Sequence, residues 1–326
     1  MALPVIDFGP FLDASSSSFQ KKQVAFEIDK ACREVGFFYL KNHGVPAELV
    51  ADMLAKTRHV FETATPEEKE RLAMRGSAEG GDSARGWLKV KNAAGAHEVS
   101  ATTPTFKAVD FFRPVPVQEA PYTTGMGPNL WPSVPADFRT TAETYIDQLE
   151  NLGNSVMKAI AIGLSVDESI FLDRIDKAFW NLRILGYEGR KTRSESAAGI
   201  GEHTGKALDH PYSCKKSLQV LSKTGEWIWA DPIEGCYVCN IGDMLSEWTR
   251  GAYKSTLHRV CHNSDSLRIS IPFFFDPNWD AFISPVLPSA EGTIDASEGI
   301  RYQDKFIKSI DYPLWRDPPS SVVQAA

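Results

Sequence analysis

The stretch Lys254-Ser255-Thr256-Leu257-His258-Arg259-Val260, with Arg268-Ile269-Ser270 beginning ten residues after its histidine, anchors the reading of this 326-residue chain. It lies in a half where short apolar runs at 180–187, 218–221, 227–230, 236–241 and 269–275 are separated by turn residues. Runs of that length, bounded by Gly, Pro, Asn and Asp, predict strands. Many such strands in succession predict a jelly roll or barrel. His258 then stands at the edge of one strand, and Arg268 and Ser270, two apart on another, share a face.

Working back toward the N-terminus, Gly201-Glu202-His203-Thr204 places a second histidine at a strand edge, 55 residues before His258. Two neutral imidazoles on neighbouring strands can bind a divalent transition metal, and one carboxylate added to them makes the facial triad of non-haem Fe(II) oxygenases. An isolated histidine is more often a surface or hydrogen-bonded core residue, so the pair takes its weight from the residues downstream of it. A guanidinium and a hydroxyl on one face, Arg268 and Ser270, suit a carboxylate gripped bidentately by the arginine. Tyr187, closing the run 183–187, offers a further hydroxyl. Singly, Arg268 reads as a surface strand residue and Tyr187 as a rim aromatic; the order and spacing favour a site.

The first third mixes helices with strands. Leu3-Pro4-Val5-Ile6-Asp7-Phe8 is an extended opener, residues 20–35 carry Val24, Ile28 and Ala31 at helical spacing, and Gly36-Phe37-Phe38-Tyr39-Leu40 reads as a strand. A second helix is predicted over 46–61. Thr65-Pro66-Glu67-Glu68-Lys69 is a capped helix start, and 75–83, dense in Gly and Ser, is a loop. Beyond Asn129-Leu130-Trp131-Pro132, the spacing of Tyr145, Leu149, Leu152, Val156 and Ile160 predicts the longest helix, lying along the outside of a sheet. The fold class is mainly β with flanking helices. A mixed N-terminal region, 1–105, and a jelly-roll core, 106–326, with a loose tail, make one catalytic unit.

Composition excludes some roles. A chain 43% hydrophobic and 24% charged has the make-up of a globular protein of one or two domains with a substantial core. A net charge of -7 gives no general attraction to a nucleic acid polymer or an anionic membrane. No run approaches the roughly 18 apolar residues that span a bilayer. Residues 1–10 have neither the basic nor the apolar segment of a signal peptide. Five scattered cysteines suit a reducing compartment better than a disulfide scaffold, so the chain is read as cytoplasmic. The expected partner is a small molecule; oligomeric state is not legible.

The ordered motifs resemble the Fe(II)/2-oxoglutarate-dependent oxygenases, in the isopenicillin N synthase-like subgroup, over nearly the whole length. Val5-Ile6-Asp7-Phe8, the block from Val35 through Asn42-His43-Gly44-Val45-Pro46, Pro66-Glu67-Glu68-Lys69, Arg85-Gly86-Trp87 and Asn129-Leu130-Trp131-Pro132 resemble its N-terminal half. Gly201-Glu202-His203-Thr204, Gly242-Asp243-Met244-Leu245, the His258 segment and Arg268-Ile269-Ser270 resemble its core. The resemblance implies a distorted double-stranded β-helix, Fe(II) on His203 and His258, O2, and 2-oxoglutarate with its distal carboxylate on Arg268 and Ser270, assisted by Tyr187.

One position departs from the family. Members usually read His-x-Asp, whereas this chain reads His203-Thr204-Gly205, and glycine cannot coordinate iron. Radical halogenases of this class look alike in carrying Gly or Ala there, so the first reading places chloride at the Gly205 position and chlorinates an unactivated carbon. The second is hydroxylation or another oxidation with a non-standard third ligand: water, Asp209 or His210. It ranks lower because family ligands stand two apart on one strand face. The third is an inactive homologue that binds a small acid, favoured by the unusual composition of 206–216 and opposed by the intact histidines and Arg268, Ser270 and Tyr187.

For substrate, Arg85, Trp87, Lys89, Lys91, Lys206, Lys215 and Lys216 are expected near the pocket rim and suggest an anionic molecule such as a nucleotide, although most lysines are solvated surface charges. Phe111 and Phe275 are pocket or core residues. Cys236 and Cys239, spaced as C-x-x-C without a second pair, read as small buried residues, and His43 as part of a structural turn.

Overall fold

The computed structural model describes residues 2–90, 106–116, 119–188, 198–203, 207–209, 217–262, 265–289, 292–293, 295 and 297–310. The chain opens with β1 (Val5–Asp7), α1 (Gly9–Leu12), α2 (Ser18–Glu34), β2 (Phe37–Lys41), α3 (Ala47–Thr63), α4 (Pro66–Arg71) and β3 (Gly86–Val90). The middle holds β4 (Phe106–Phe112), α5 (Phe138–Leu164), α6 (Ser169–Leu172), β5 (Asn181–Tyr187), β6 (Ala198–His203), β7 (Ala207–Asp209), β8 (Leu218–Leu221) and β9 (Trp227–Trp229). It closes with β10 (Cys236–Asn240), α7 (Asp243–Trp248), β11 (His258–Cys261), β12 (Arg268–Ser270), β13 (Phe273–Phe274), β14 (Phe282–Ile283), β15 (Ile300–Arg301) and α8 (Tyr302–Ile310).

Local chemistry sets the helix starts. Ser17 Oγ accepts from the Gln20 amide at 3.3 Å while Gln20 Oε1 accepts from the Ser17 amide at 2.9 Å, a reciprocal cap for α2. Thr65 Oγ1 accepts from the Glu68 amide at 3.2 Å, with Pro66 in the first turn, so α4 begins where the sequence predicts. Between α2 and β2 the chain turns at Gly36, whose φ is +72°, and a Cβ there would stand 2.0 Å from the Lys254 carbonyl oxygen. Only glycine fits.

A large sheet runs β1-β2-β10-β7-β13-β5-β4-β3 with β12 also on β5, and a smaller one runs β6-β11-β8-β9. Side chains alternate across each strand. From the large sheet, Phe38, Leu40, Val109, Phe111, Leu182, Ile184, Tyr237 and Cys239 enter the main core with α2, α3 and α5. Their neighbours point the other way, toward the small sheet, in two patches. Phe37, Tyr39, Cys236 and Val238 meet Val220, and Phe106, Ala108, Leu185 and Tyr187 meet Val260. This is the expected double-stranded β-helix: helices cover one face, and the space between the sheets is left for a site.

One expectation is revised. The run 269–275 is not one strand but β12 and β13, broken at Pro272, which has no amide hydrogen for a ladder and whose carbonyl accepts from the Arg183 amide at 3.0 Å. The N-terminal strands β1, β2 and β3 lie in the same sheet as β4 and β5, with Gly86 to Val90 paired to Asp110 to Phe106.

Candidate active site

His203 and His258 are register partners across β6 and β11, with ring centroids 4.1 Å apart and planes at 55°. The antiparallel pairing projects both imidazoles from one face. His258 Nδ1 lies 3.1 Å from the Thr256 carbonyl oxygen, which accepts only if Nδ1 carries the proton, so the Nε2 lone pair is left for a ligand. Thr256 is itself held by a 2.6 Å bond from its hydroxyl to the Val35 carbonyl, and Phe37 packs edge-on against the imidazole at 5.1 Å. Burial, helped by the neighbouring His203, pulls the His258 pKa down to about 4, so the ring is neutral at pH 7. Neutral imidazole is the metal-binding form.

The second cluster lies across β5 and β12. Arg268 and Tyr187 are register partners, with the guanidinium carbon 4.8 Å from the ring centre, and Ser270 pairs with Leu185. Arg268 is 5% exposed, and its buried Nη1 has no hydrogen-bond partner among the described residues. A buried donor left unsatisfied costs about 1–3 kcal/mol, more when charged. A carboxylate supplied by a ligand removes that cost, so these residues fit 2-oxoglutarate. Ser270, also buried, lies on the same face of its strand.

Continuing along that face of β5 leads to a cavity of about 320 Å³, lined by Asp110, Asn181, Arg183, Asp243, Phe112 and Phe274 among others. Asn181, Arg183, Leu185 and Tyr187 alternate on one side of the strand. Asp110 and Arg183 are register partners: Arg183 Nε and Nη2 donate to the Asp110 carboxylate at 2.7 and 3.1 Å, and Asn181 Nδ2 donates to it at 3.1 Å. Asp243 lines this cavity, and its charge acts on His258. Asp110, Asn181 and Arg183 were missed as site residues from sequence. Their signal was present as polar residues at alternate positions of otherwise apolar strands.

Several expected substrate residues are elsewhere. Arg85, expected at the rim, is 2% exposed and committed to Asp82, Asn129 Oδ1 at 3.0 Å, the Arg113 carbonyl at 2.9 Å and the Gly125 carbonyl. Trp87 is buried against Phe61 at 5.3 Å, and Phe111 is buried and stacked on Trp131 at 4.4 Å. Phe275 lies under α5, its ring 2.9 Å from where a Gly153 Cβ would sit. All four hold the fold together. Cys236 and Cys239 are buried and free, and His43 is buried against Tyr237 at 4.4 Å. Gly205, Lys206 and His210 lie outside the described residues, as does the side chain of Asp209, whose backbone ends β7. Among the described residues, no three His, Cys, Asp or Glu side chains are grouped to hold a metal ion, and no helix is long and apolar enough to cross a membrane.

Two family models match the chain: the N-terminal region of the non-haem dioxygenases, described for morphine synthesis, over residues 3–134, and the 2OG-Fe(II) oxygenase superfamily over 189–277. The second span holds His203, His258, Arg268 and Ser270. A homoarginine-6-hydroxylase of Oryza sativa subsp. japonica is 33% identical, over 95% of this chain and 96% of its own. The chain belongs to the 2OG-Fe(II) oxygenase superfamily. It is an Fe(II)/2-oxoglutarate-dependent oxidoreductase. A homoarginine-6-hydroxylase of Glycine max is 32% identical, over 87% of this chain and 88% of its own. Among solved structures, a full-length Neurospora crassa protein in complex with alpha-KG and thymine is 25% identical, with a TM-score of 0.80 over 94% of this chain and 96% of that one. The family accounts for the double-stranded β-helix and for Fe(II) and 2-oxoglutarate as cofactors.

Proposed function

We propose that this chain hydroxylates an unactivated carbon of a small metabolite. The observation that carries the reading is the buried Nη1 of Arg268, which awaits an acceptor beside Tyr187 and Ser270 in a fold that also pairs His203 with His258. Bound Fe(II) supplies the oxidising chemistry, in which O2 converts 2-oxoglutarate to succinate and CO2 and delivers one oxygen atom to the substrate. His203 and His258 would hold the metal, and the Thr256 carbonyl keeps Nε2 of His258 available. Arg268 and Ser270 grip the distal carboxylate of 2-oxoglutarate, with the Tyr187 ring stacked against the guanidinium. The 320 Å³ cavity receives the substrate.

Both plant relatives carry hydroxylase names, which favours hydroxylation over the chlorination expected first from Gly205, and they lend chloride no support. Halogenation keeps one observation in its favour, the glycine at the family's His-x-Asp position.

Anaerobic addition of Fe(II) and 2-oxoglutarate is expected to produce a visible charge-transfer absorption insensitive to chloride. Exposure to O2 with substrate then yields succinate and a product carrying one added oxygen. A chlorinated product from chloride buffer would establish halogenation instead, and absence of iron binding would sink both readings. Gly205→Asp is expected to slow loss of Fe(II) and to preserve hydroxylation; abolished turnover would favour a halide at that position.

A further inference from the structure

We propose that His262 and Arg58 are positioning residues for 2-oxoglutarate: they fix two consecutive backbone carbonyls immediately before Arg268 and so set where its guanidinium stands. The proposal rests on the reading of Arg268 as the anchor of the distal carboxylate.

His262 follows β11 directly and is fully buried. Its Nε2 lies 3.0 Å from the Ser266 carbonyl oxygen, which accepts only if Nε2 carries the proton. The bond joins the residue after β11, the strand of His258, to the residue two before β12, the strand of Arg268. The next carbonyl is held as well. From α3, Arg58 Nη1 donates to the Leu267 oxygen at 3.1 Å. Ser266 and Leu267 directly precede Arg268, so both bonds act on the backbone that delivers the guanidinium.

The same imidazole also borders the surface on which that guanidinium rests. Its ring centre lies 6.2 Å from that of Tyr187, with the planes at 49°. Tyr187 packs against Phe106 at 5.6 Å and carries the Arg268 guanidinium carbon 4.8 Å from its ring centre. His262 therefore touches both supports of Arg268, the entry to its strand and the aromatic ring beside it. An arginine chain has many rotamers, and a two-point bond to a carboxylate needs one of them. Fixing the backbone and the stacking surface beforehand removes part of that ordering cost from the binding step.

Calorimetric titration of the Mn(II)-loaded protein without O2 compares 2-oxoglutarate with 2-oxovalerate, which has a methyl group in place of the distal carboxylate. The ratio of the two affinities reads the grip on that carboxylate, whereas a general loss of structure lowers both. His262→Phe, which keeps a ring and loses the donor, is expected to lower the ratio about tenfold, and His262→Gln, which returns an N–H donor, to recover most of it. Arg58→Met, at a side chain 41% exposed and so without cost to the interior, is expected to lower the ratio about threefold. An unchanged ratio in His262→Phe or in Arg58→Met, an equal loss of both oxo acids, or no recovery in His262→Gln would overturn the proposal. Arg268→Met, titrated alongside, separates the two readings. If it leaves the ratio intact, the assignment of Arg268 fails and the positioning role with it; if it alone collapses the ratio, only the positioning role fails.

Discussion

The guanidinium of Arg268 is stacked on Tyr187, its register partner, while its Nη1 is buried without an acceptor among the described residues. The strand pairing that stacks the cation also takes it out of water, so the protein carries a desolvation cost that a ligand carboxylate relieves. Arg268→Met is therefore expected to leave thermal stability unchanged or raised by up to about 2 kcal/mol, because an unsatisfied buried charge is replaced by an apolar chain. Affinity for 2-oxoglutarate is expected to fall about a hundredfold. Thermal unfolding with and without 2-oxoglutarate checks both, since the wild type gains stability from the ligand and the variant does not.

The His203 and His258 rings pack against each other, and His258 also against Phe37. Under the proposed role of the pair as metal ligands, His203→Ala and His258→Ala are each expected to lower Fe(II) content at least about tenfold. Metal analysis after anaerobic dialysis measures this, with circular dichroism expected to match the wild type.

Close approach of α5 to the sheet depends on Gly153. A Cβ there would meet the Phe275 ring at 2.9 Å, tighter than real contacts allow. Gly153→Ala gains helix propensity but forces the ring or the helix to move, with an expected net loss of about 1–2 kcal/mol. Urea denaturation provides the measurement; an unchanged midpoint would show that the ring yields freely.

Glu68 gives a pH signature far from the site. Arg71 donates to both its oxygens at 2.9 and 2.7 Å, and the Ser133 amide adds a third bond at 2.7 Å, which together hold its pKa down to about 2. A depressed carboxylate pKa stabilises the fold above the unfolded value near 4.5, and that contribution is lost as pH falls toward 2. Glu68→Gln is expected to be less stable than wild type at neutral pH by no more than about 1 kcal/mol, since the group is near the surface. The difference should shrink steadily through the acid range in parallel urea titrations.

Much of the architecture was legible because it depends on neighbours in sequence. Thr65 and Pro66 start α4, the steps from Tyr145 to Ile160 fall within α5, and the two-residue period of Arg268-Ile269-Ser270 correctly puts the first and third residues on one face. Arg85 was misplaced for the opposite reason. Its partners Arg113, Gly125 and Asn129 are 28, 40 and 44 residues away, and only their convergence buries the guanidinium. Trp87, Phe111 and Phe275 likewise became core residues through contacts with Phe61, Trp131 and α5.

By itself the sequence determined the family, through two histidines, Arg-x-Ser and their order, because strand periodicity translates spacing into direction. It also determined that Gly205 offers no carboxylate to the metal. Only the tertiary structure decided that Arg268 is buried with a donor that has no acceptor among the described residues, and that Asp110 confronts Arg183 across two strands. Those are properties of residues distant in the chain and adjacent in space, where desolvation and pairing, rather than residue type alone, set what a charge can do.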